Sequence, residues 1–162
     1  MTLPVRKQNR LMMYDYSQPN AYFLTICTNK RKNLFWTNYA ANADWPENVP
    51  LTGIGVIARN TIEKIPEHYP SISVDRYVIM PNHIHLLLQI HADDSGRSMI
   101  APTVSTVVRM MKSEVSRQAG FAVWQKGFYD HVIRNEEDYR GIWNYIEGNP
   151  GKWTEDKLYS QC

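Results

Sequence analysis

Two histidines, His83 and His85, stand one residue apart at the head of an aliphatic run in Pro81-Asn-His-Ile-His-Leu-Leu-Leu88. In an extended chain alternate side chains share a face. His83, His85, Leu87 and Gln89 therefore point one way, and Ile84, Leu86, Leu88 and Ile90 the other. Two imidazoles on one side of a strand, about two residue rises apart, suit two ligands of a single metal ion. They equally suit a pair of core histidines whose ring nitrogens find protein partners, since a buried ring without partners is costly. A third ligand and a reactive group would favour the first reading.

Candidates for both lie near the end of the chain. Tyr139, Ile142, Trp143 and Ile146 recur at helical spacing and form an apolar stripe. Tyr145 and Asn149 are four residues apart, so on a helix they stack along one flank beside that stripe. A phenol and an amide there can reach the histidine face. The plainer alternative is a boundary tyrosine with a wet hydroxyl, and an asparagine that caps the helix before Pro150.

The elements that must position these groups follow from the pattern. Ala21 to Thr28 is β-branched and aromatic and reads as a strand, and residues 29 to 50 as a polar loop or insertion. Apolar residues at helical spacing predict a helix from Thr52 to about Glu67, ended by Pro66 and Pro70. Residues 72 to 79 and 83 to 90 are two strands joined by the turn Met80-Pro-Asn82. After a loop at Asp93 to Arg97, a helix runs through Val104 and Val115 and ends before Gly120. Val123 to Ile133 suggests a fourth strand bent at Gly127, and a last helix opens at Asn135, with Glu136, Glu137 and Asp138 at its positive end. The order β-α-β-β-α-β predicts an α+β chain: a ferredoxin-like, four-stranded antiparallel sheet with two crossover helices on one face. The additional C-terminal helix is left to cover the histidine face.

The chain of 162 residues is expected to form one domain over 1–162. Its net charge of +2 excludes a global basic field, but residues 1–35 carry Arg6, Lys7, Arg10, Lys30, Arg31 and Lys32 against Asp15 alone. That concentration reads either as a local phosphate-binding surface or as a solvated terminus. The aromatic share of 12% would serve a core or base stacking. Cys27 and Cys162 form no paired motif, and Cys27 reads as a small buried residue. No signal peptide and no long apolar span is present, so no membrane role and a cytoplasmic location are expected.

His83-Ile-His85, followed 60 residues after His85 by Tyr145-Ile-Glu-Gly-Asn149, resembles the single-tyrosine HUH transposases: the IS200/IS605-type enzymes and the REP-associated tyrosine transposases. Tyr77 to Leu88, Trp124-Gln-Lys-Gly-Phe-Tyr-Asp-His-Val-Ile-Arg134, Tyr14-Asp-Tyr-Ser17 and Tyr22 to Thr28 agree with that family, so the resemblance spans about residues 10–153.

The resemblance implies a metal-dependent single-strand DNA endonuclease and strand transferase, bacterial and nucleoid-associated. Its DNA is a hairpin or palindrome with flanking single strands, cut through a 5′-phosphotyrosine intermediate. Tyr145 matches the nucleophile, His83 and His85 the metal ligands and Asn149 the third ligand, with Mg²⁺ or Mn²⁺ as the ion. Tyr129 is the rival nucleophile, but no ligand accompanies it at helical spacing. Asp130 and His131 are candidates for an outer layer around the ion, His131 more simply as a partner of strand backbone. Arg6, Lys7, Arg10, Arg31, Lys32, Lys112, Lys126 and Arg134 are candidate phosphate contacts. IS200-type relatives exchange the tyrosine helix between the subunits of a homodimer, while some REP-associated relatives act as monomers, so either state is open. The main alternative is a hairpin-DNA-binding, regulatory protein that no longer transposes; a third reading is a hydrolase that activates water at the histidines.

Overall fold

The computed structural model describes residues 21–37, 49–91 and 102–155. Four strands, β1 (Ala21–Cys27), β2 (Ile72–Ile79), β3 (His83–Ile90) and β4 (Tyr129–Ile133), form one sheet. Their order is β2-β3-β1-β4 and the paired strands run antiparallel. Around them lie α1 (Gly53–Glu63), α2 (Ile65–His68), α3 (Val104–Ala119) and α4 (Glu136–Gly148), with 3-10 turns at Asn29–Arg31 and Pro150–Glu155. This is the ferredoxin-like α+β arrangement that the pattern predicts, with α4 added.

Local chemistry sets the element ends. Thr52 and Thr103 cap α1 and α3 by accepting the backbone N–H groups of Gly55 and Thr106. Gly120 closes α3 in a left-handed conformation, φ 83°, which costs glycine little. The Asn135 side chain caps α4 through the N–H of Asp138. Within β3 the alternation holds: Ile84, Leu86, Leu88 and Ile90 are buried with Tyr22, Leu24 and Ile26 of β1. Ala58 and Ile62 of α1 and Val104, Val107, Val108, Met111 and Val115 of α3 complete that core.

The opposite face carries the histidines. Cys27 lies opposite His83, and Thr25 and Val78 flank His85 from β1 and β2. Cys27 is half-buried rather than fully buried, because it ends its strand on this face and not among the helices.

Two elements differ from expectation. The single helix predicted to about Glu67 divides at Lys64, because Pro66 has no N–H to continue the ladder and instead opens the short α2. The fourth strand begins only at Tyr129; Trp124 makes an isolated bridge to Thr28, and the left-handed Gly127, φ 78°, separates the two. No helix among the described residues is long and apolar enough to cross a membrane. Arg6, Lys7, Arg10, Tyr14 to Ser17, much of the 29–50 insertion and the Asp93 to Arg97 loop lie outside the described residues.

Candidate metal and nucleophile site

His83 is fully buried and His85 is 3% exposed. Their Nε2 atoms lie 3.1 Å apart. Two nitrogens bound to one ion at about 2.1 Å and at right angles are separated by ~3 Å, so the spacing fits joint ligation. The other ring nitrogens are held from behind: Nδ1 of His83 lies 2.7 Å from Asn82 Oδ1, and Nδ1 of His85 lies 2.9 Å from Thr25 Oγ1. Converging Nε2 atoms with anchored Nδ1 atoms are the usual disposition of metal-binding histidines.

The rings are braced by aromatics. Phe23, two residues from Thr25 on the same face of β1, stacks on His85 with ring centres 5.1 Å apart. Trp153 lies 6.0 Å from the His83 ring and 6.4 Å from Trp36, whose indole N–H donates to the Ile79 carbonyl.

Helix α4 brings the phenol. Tyr145 is 49% exposed, and its ring sits edge-on to both His85, at 5.3 Å, and Phe23, at 6.0 Å. Asn149, at the C-terminal end of α4, is only 5% exposed, and its amide nitrogen is buried with no hydrogen-bond partner. It falls midway in sequence between Tyr145, which touches the ring of His85, and Trp153, which is close to that of His83. A buried amide with an unfilled polar position suits a metal ligand once its oxygen occupies that position. No group of three His, Cys, Asp or Glu residues that could hold a metal ion exists among the described residues.

Ile146 is the one fully buried side chain of α4; Tyr139, Ile142 and Trp143 of the predicted stripe are half-buried. Polar contacts therefore matter to its seat. The Tyr139 hydroxyl donates to Asp75 Oδ2 at 2.7 Å. The Arg76 guanidinium lies 3.1 Å from Glu147 and 4.9 Å from the centre of the Trp143 ring. Asp75 and Arg76 sit at a bulge where β2 slips register against β3, which offers both side chains to the helix.

Other predicted residues fall elsewhere. His131 shares the histidine face, but its Nε2 meets Asp138 Oδ2 at 2.7 Å, tying β4 to the first turn of α4 rather than to strand backbone. Asp130 pairs with Leu24 and so points to the helix-covered face, away from His83 and His85. Tyr129, 50% exposed, pairs with Thr25 on the histidine face. Lys112 donates its ammonium to the carbonyls of Gln125 (2.8 Å) and Gly127 (2.5 Å), bracing the turn before β4. Arg31, Lys32, Lys126 and Arg134 are exposed. Phe23, Thr25, Asn82, Arg76 and Trp153 were not legible as site residues: each acts through a partner distant in sequence, except Asn82, whose only signal is adjacency to His83.

A ferredoxin-like sheet with paired histidines beneath a tyrosine-bearing C-terminal helix defines a class of DNA-processing protein, and the comparisons agree. Residues 18–149 match the family model described as "Transposase IS200 like". The chain belongs to that family of transposases. It is 32% identical to an uncharacterized protein of Haemophilus influenzae, over 95% of this chain and 93% of that one. It is 26% identical to the REP-associated tyrosine transposase of Escherichia coli K12, over 85% of this chain and 70% of that one. Among solved structures, it is similar to a REP-associated tyrosine transposase bound to a REP hairpin, with TM-score 0.61 and 25% identity over 88% of this chain and 73% of that one.

Proposed function

We propose that this chain is a metal-dependent single-strand DNA endonuclease and strand transferase that cuts beside DNA hairpins with Tyr145 as nucleophile. The observation that carries the reading is the half-exposed Tyr145 ring set 5.3 Å from His85, whose Nε2 converges with that of His83. His83, His85 and Asn149 would hold the ion, Mg²⁺ or Mn²⁺, which polarises a phosphoryl oxygen and offsets developing charge when bound.

The remaining chemistry belongs to the chain. The Tyr145 oxygen attacks the scissile phosphorus, a P–O bond to the phenol forms, and the bond to the 3′-oxygen breaks. The phenol loses one proton and the leaving 3′-oxygen gains one. The products are a 5′-phosphotyrosine and a free 3′-hydroxyl, and one ester replaces another, so rejoining needs no nucleotide cofactor. Phe23 and His85 hold the phenol ring edge-on while its solvent-facing half leaves room for a strand.

Hairpin DNA is the proposed partner, by likeness to the hairpin-bound relative. Exposed Arg31, Lys32, Lys126 and Arg134 are suited to phosphate contact, whereas the Lys112 ammonium is engaged with backbone carbonyls. Because Tyr145 and His85 meet within one chain, the reading includes action of the tyrosine in cis.

The test is a labelled hairpin oligonucleotide with a single-stranded flank, incubated with Mn²⁺ and the wild type or Tyr145→Phe. A denaturation-resistant adduct in the wild type alone supports the reading. Binding without adduct in either protein supports a regulatory hairpin binder instead, and cleavage that survives Tyr145→Phe supports a water-activating hydrolase.

A further inference from the structure

Asn82 and Thr25 hold the two histidines from behind in chemically different ways. We propose that Asn82 locks His83 in the metal-ready tautomer, while Thr25 lets His85 exchange one tautomer for the other when an ion arrives. This deepens the metal-site reading above and rests on it.

Consider His83 first. Its Nδ1 lies 2.7 Å from Asn82 Oδ1, and an amide oxygen only accepts. The amide cannot be turned over, because its other end, Nδ2, donates to the Arg31 carbonyl at 3.4 Å and a reversed amide would set oxygen against oxygen. Asn82 is fully buried, and its own carbonyl accepts the Thr28 N–H at 2.9 Å, which holds its backbone in place. His83 therefore carries its proton on Nδ1 and a lone pair on Nε2 whether or not metal is present.

His85 cannot share that state without metal. Two Nε2 lone pairs 3.1 Å apart would repel. The stable arrangement puts the His85 proton on Nε2, donating to His83, and leaves Nδ1 to accept from the Thr25 hydroxyl at 2.9 Å. An ion needs both Nε2 lone pairs. The His85 proton then resides on Nδ1, and the Thr25 hydroxyl rotates from donor to acceptor. The neutral ring holds one proton before and after, so the exchange itself releases none. A hydroxyl serves both states, whereas an amide oxygen serves only one. Asn82 and Thr25 are thus positioning residues with non-interchangeable side chains.

The experiment uses the full chain, with ¹⁵N-edited NMR of the imidazoles and titration with Mn²⁺ followed by the free-ion electron paramagnetic resonance signal. Without metal, His83 is expected as Nδ1–H and His85 as Nε2–H; adding Mg²⁺ moves the His85 proton to Nδ1. Asn82→Leu and Thr25→Val should each weaken Mn²⁺ binding, by about 10- to 100-fold, the range for such supporting contacts. Thr25→Ser keeps the hydroxyl and should bind within a few-fold of wild type. Metal-free His83 protonated at Nε2, or Asn82→Leu and Thr25→Val binding like wild type, overturns the proposal. The wild-type spectra require no variant, so a misfolded substitution does not block the test. If wild type binds no ion, the metal reading fails, and the metal-free tautomers still uphold or refute the two assignments.

Discussion

Tyr139→Phe removes one hydroxyl and nothing else from the contact between α4 and β2. The lost bond is the 2.7 Å donation to Asp75 Oδ2. A hydrogen bond to a charged acceptor contributes about 1.5–3 kcal/mol. Tyr139 is only half-buried, so solvent screening reduces the figure to roughly 1 kcal/mol. The Asp75 carboxylate keeps the Ser73 hydroxyl at 2.8 Å, so it is not left stranded. Ile146 is the only fully buried residue of α4, and Glu147, the partner of Arg76, is 56% exposed in its side chain. A loss of about 1 kcal/mol is thus a large share of what seats the helix, and corresponds to about fivefold more undocked helix. Hydrogen exchange read by mass spectrometry should show α4 opening about fivefold more often, with β1 and β3 unchanged. Single-turnover adduct formation should fall by no more than that factor, since Tyr145 itself is intact. Unchanged exchange in α4, or equal acceleration across β1 and β3, would refute the idea that polar contacts hold this helix as a separately docked unit.

Further outcomes follow from the same coordinates. Burial, then the hydrogen bond to Asp75, pushes the Tyr139 phenol up to about 12. Its stabilising contribution is whole below the unfolded value of about 10 and is lost as pH climbs through 12. Urea midpoints should therefore drop more steeply above pH 10 in wild type than in Tyr139→Phe; parallel curves would contradict the assignment. Ile146→Ala should cost about 2–5 kcal/mol in chemical denaturation, with a deficit below 1 kcal/mol showing that its burial is not what anchors α4. A Cβ on Gly55 would meet the Phe35 carbonyl oxygen at 2.5 Å and the Leu51 side chain at 3.1 Å, so Gly55→Ala should destabilise by about 1–3 kcal/mol. Stabilisation instead, as helix propensity alone would give, would show that the helix can shift away from Phe35.

Period-two alternation made the strand carrying His83 and His85 legible, and helical spacing put Tyr145 and Asn149 on one flank. Both signals are local, and both survive folding because one face of each element is buried. What remained hidden depends on register between distant segments. That Thr25 would lie against His85 required the pairing of β1 with β3. The bulge that hands Asp75 and Arg76 to α4 leaves no periodic trace in Ile72 to Ile79. Asp130 and His131 looked alike as neighbours of the site, yet alternation sends one to each face once β4 is paired with β1. The short β4 reflects Gly127 and the grip of Lys112 on the carbonyls of Gln125 and Gly127, a contact between residues 13 and 15 apart that no window of sequence displays.

The claim on which the rest depends is that the phenol on α4 becomes esterified to DNA. After reaction with a hairpin oligonucleotide and Mn²⁺, nuclease trimming and trypsin digestion separate the two candidate tyrosines. Tyr145 falls in the peptide Gly141 to Lys152, and Tyr129 in Gly127 to Arg134. Mass spectrometry should find the nucleotide remnant on Tyr145. A remnant on Tyr129, or on neither tyrosine despite cleaved DNA, would contradict the account.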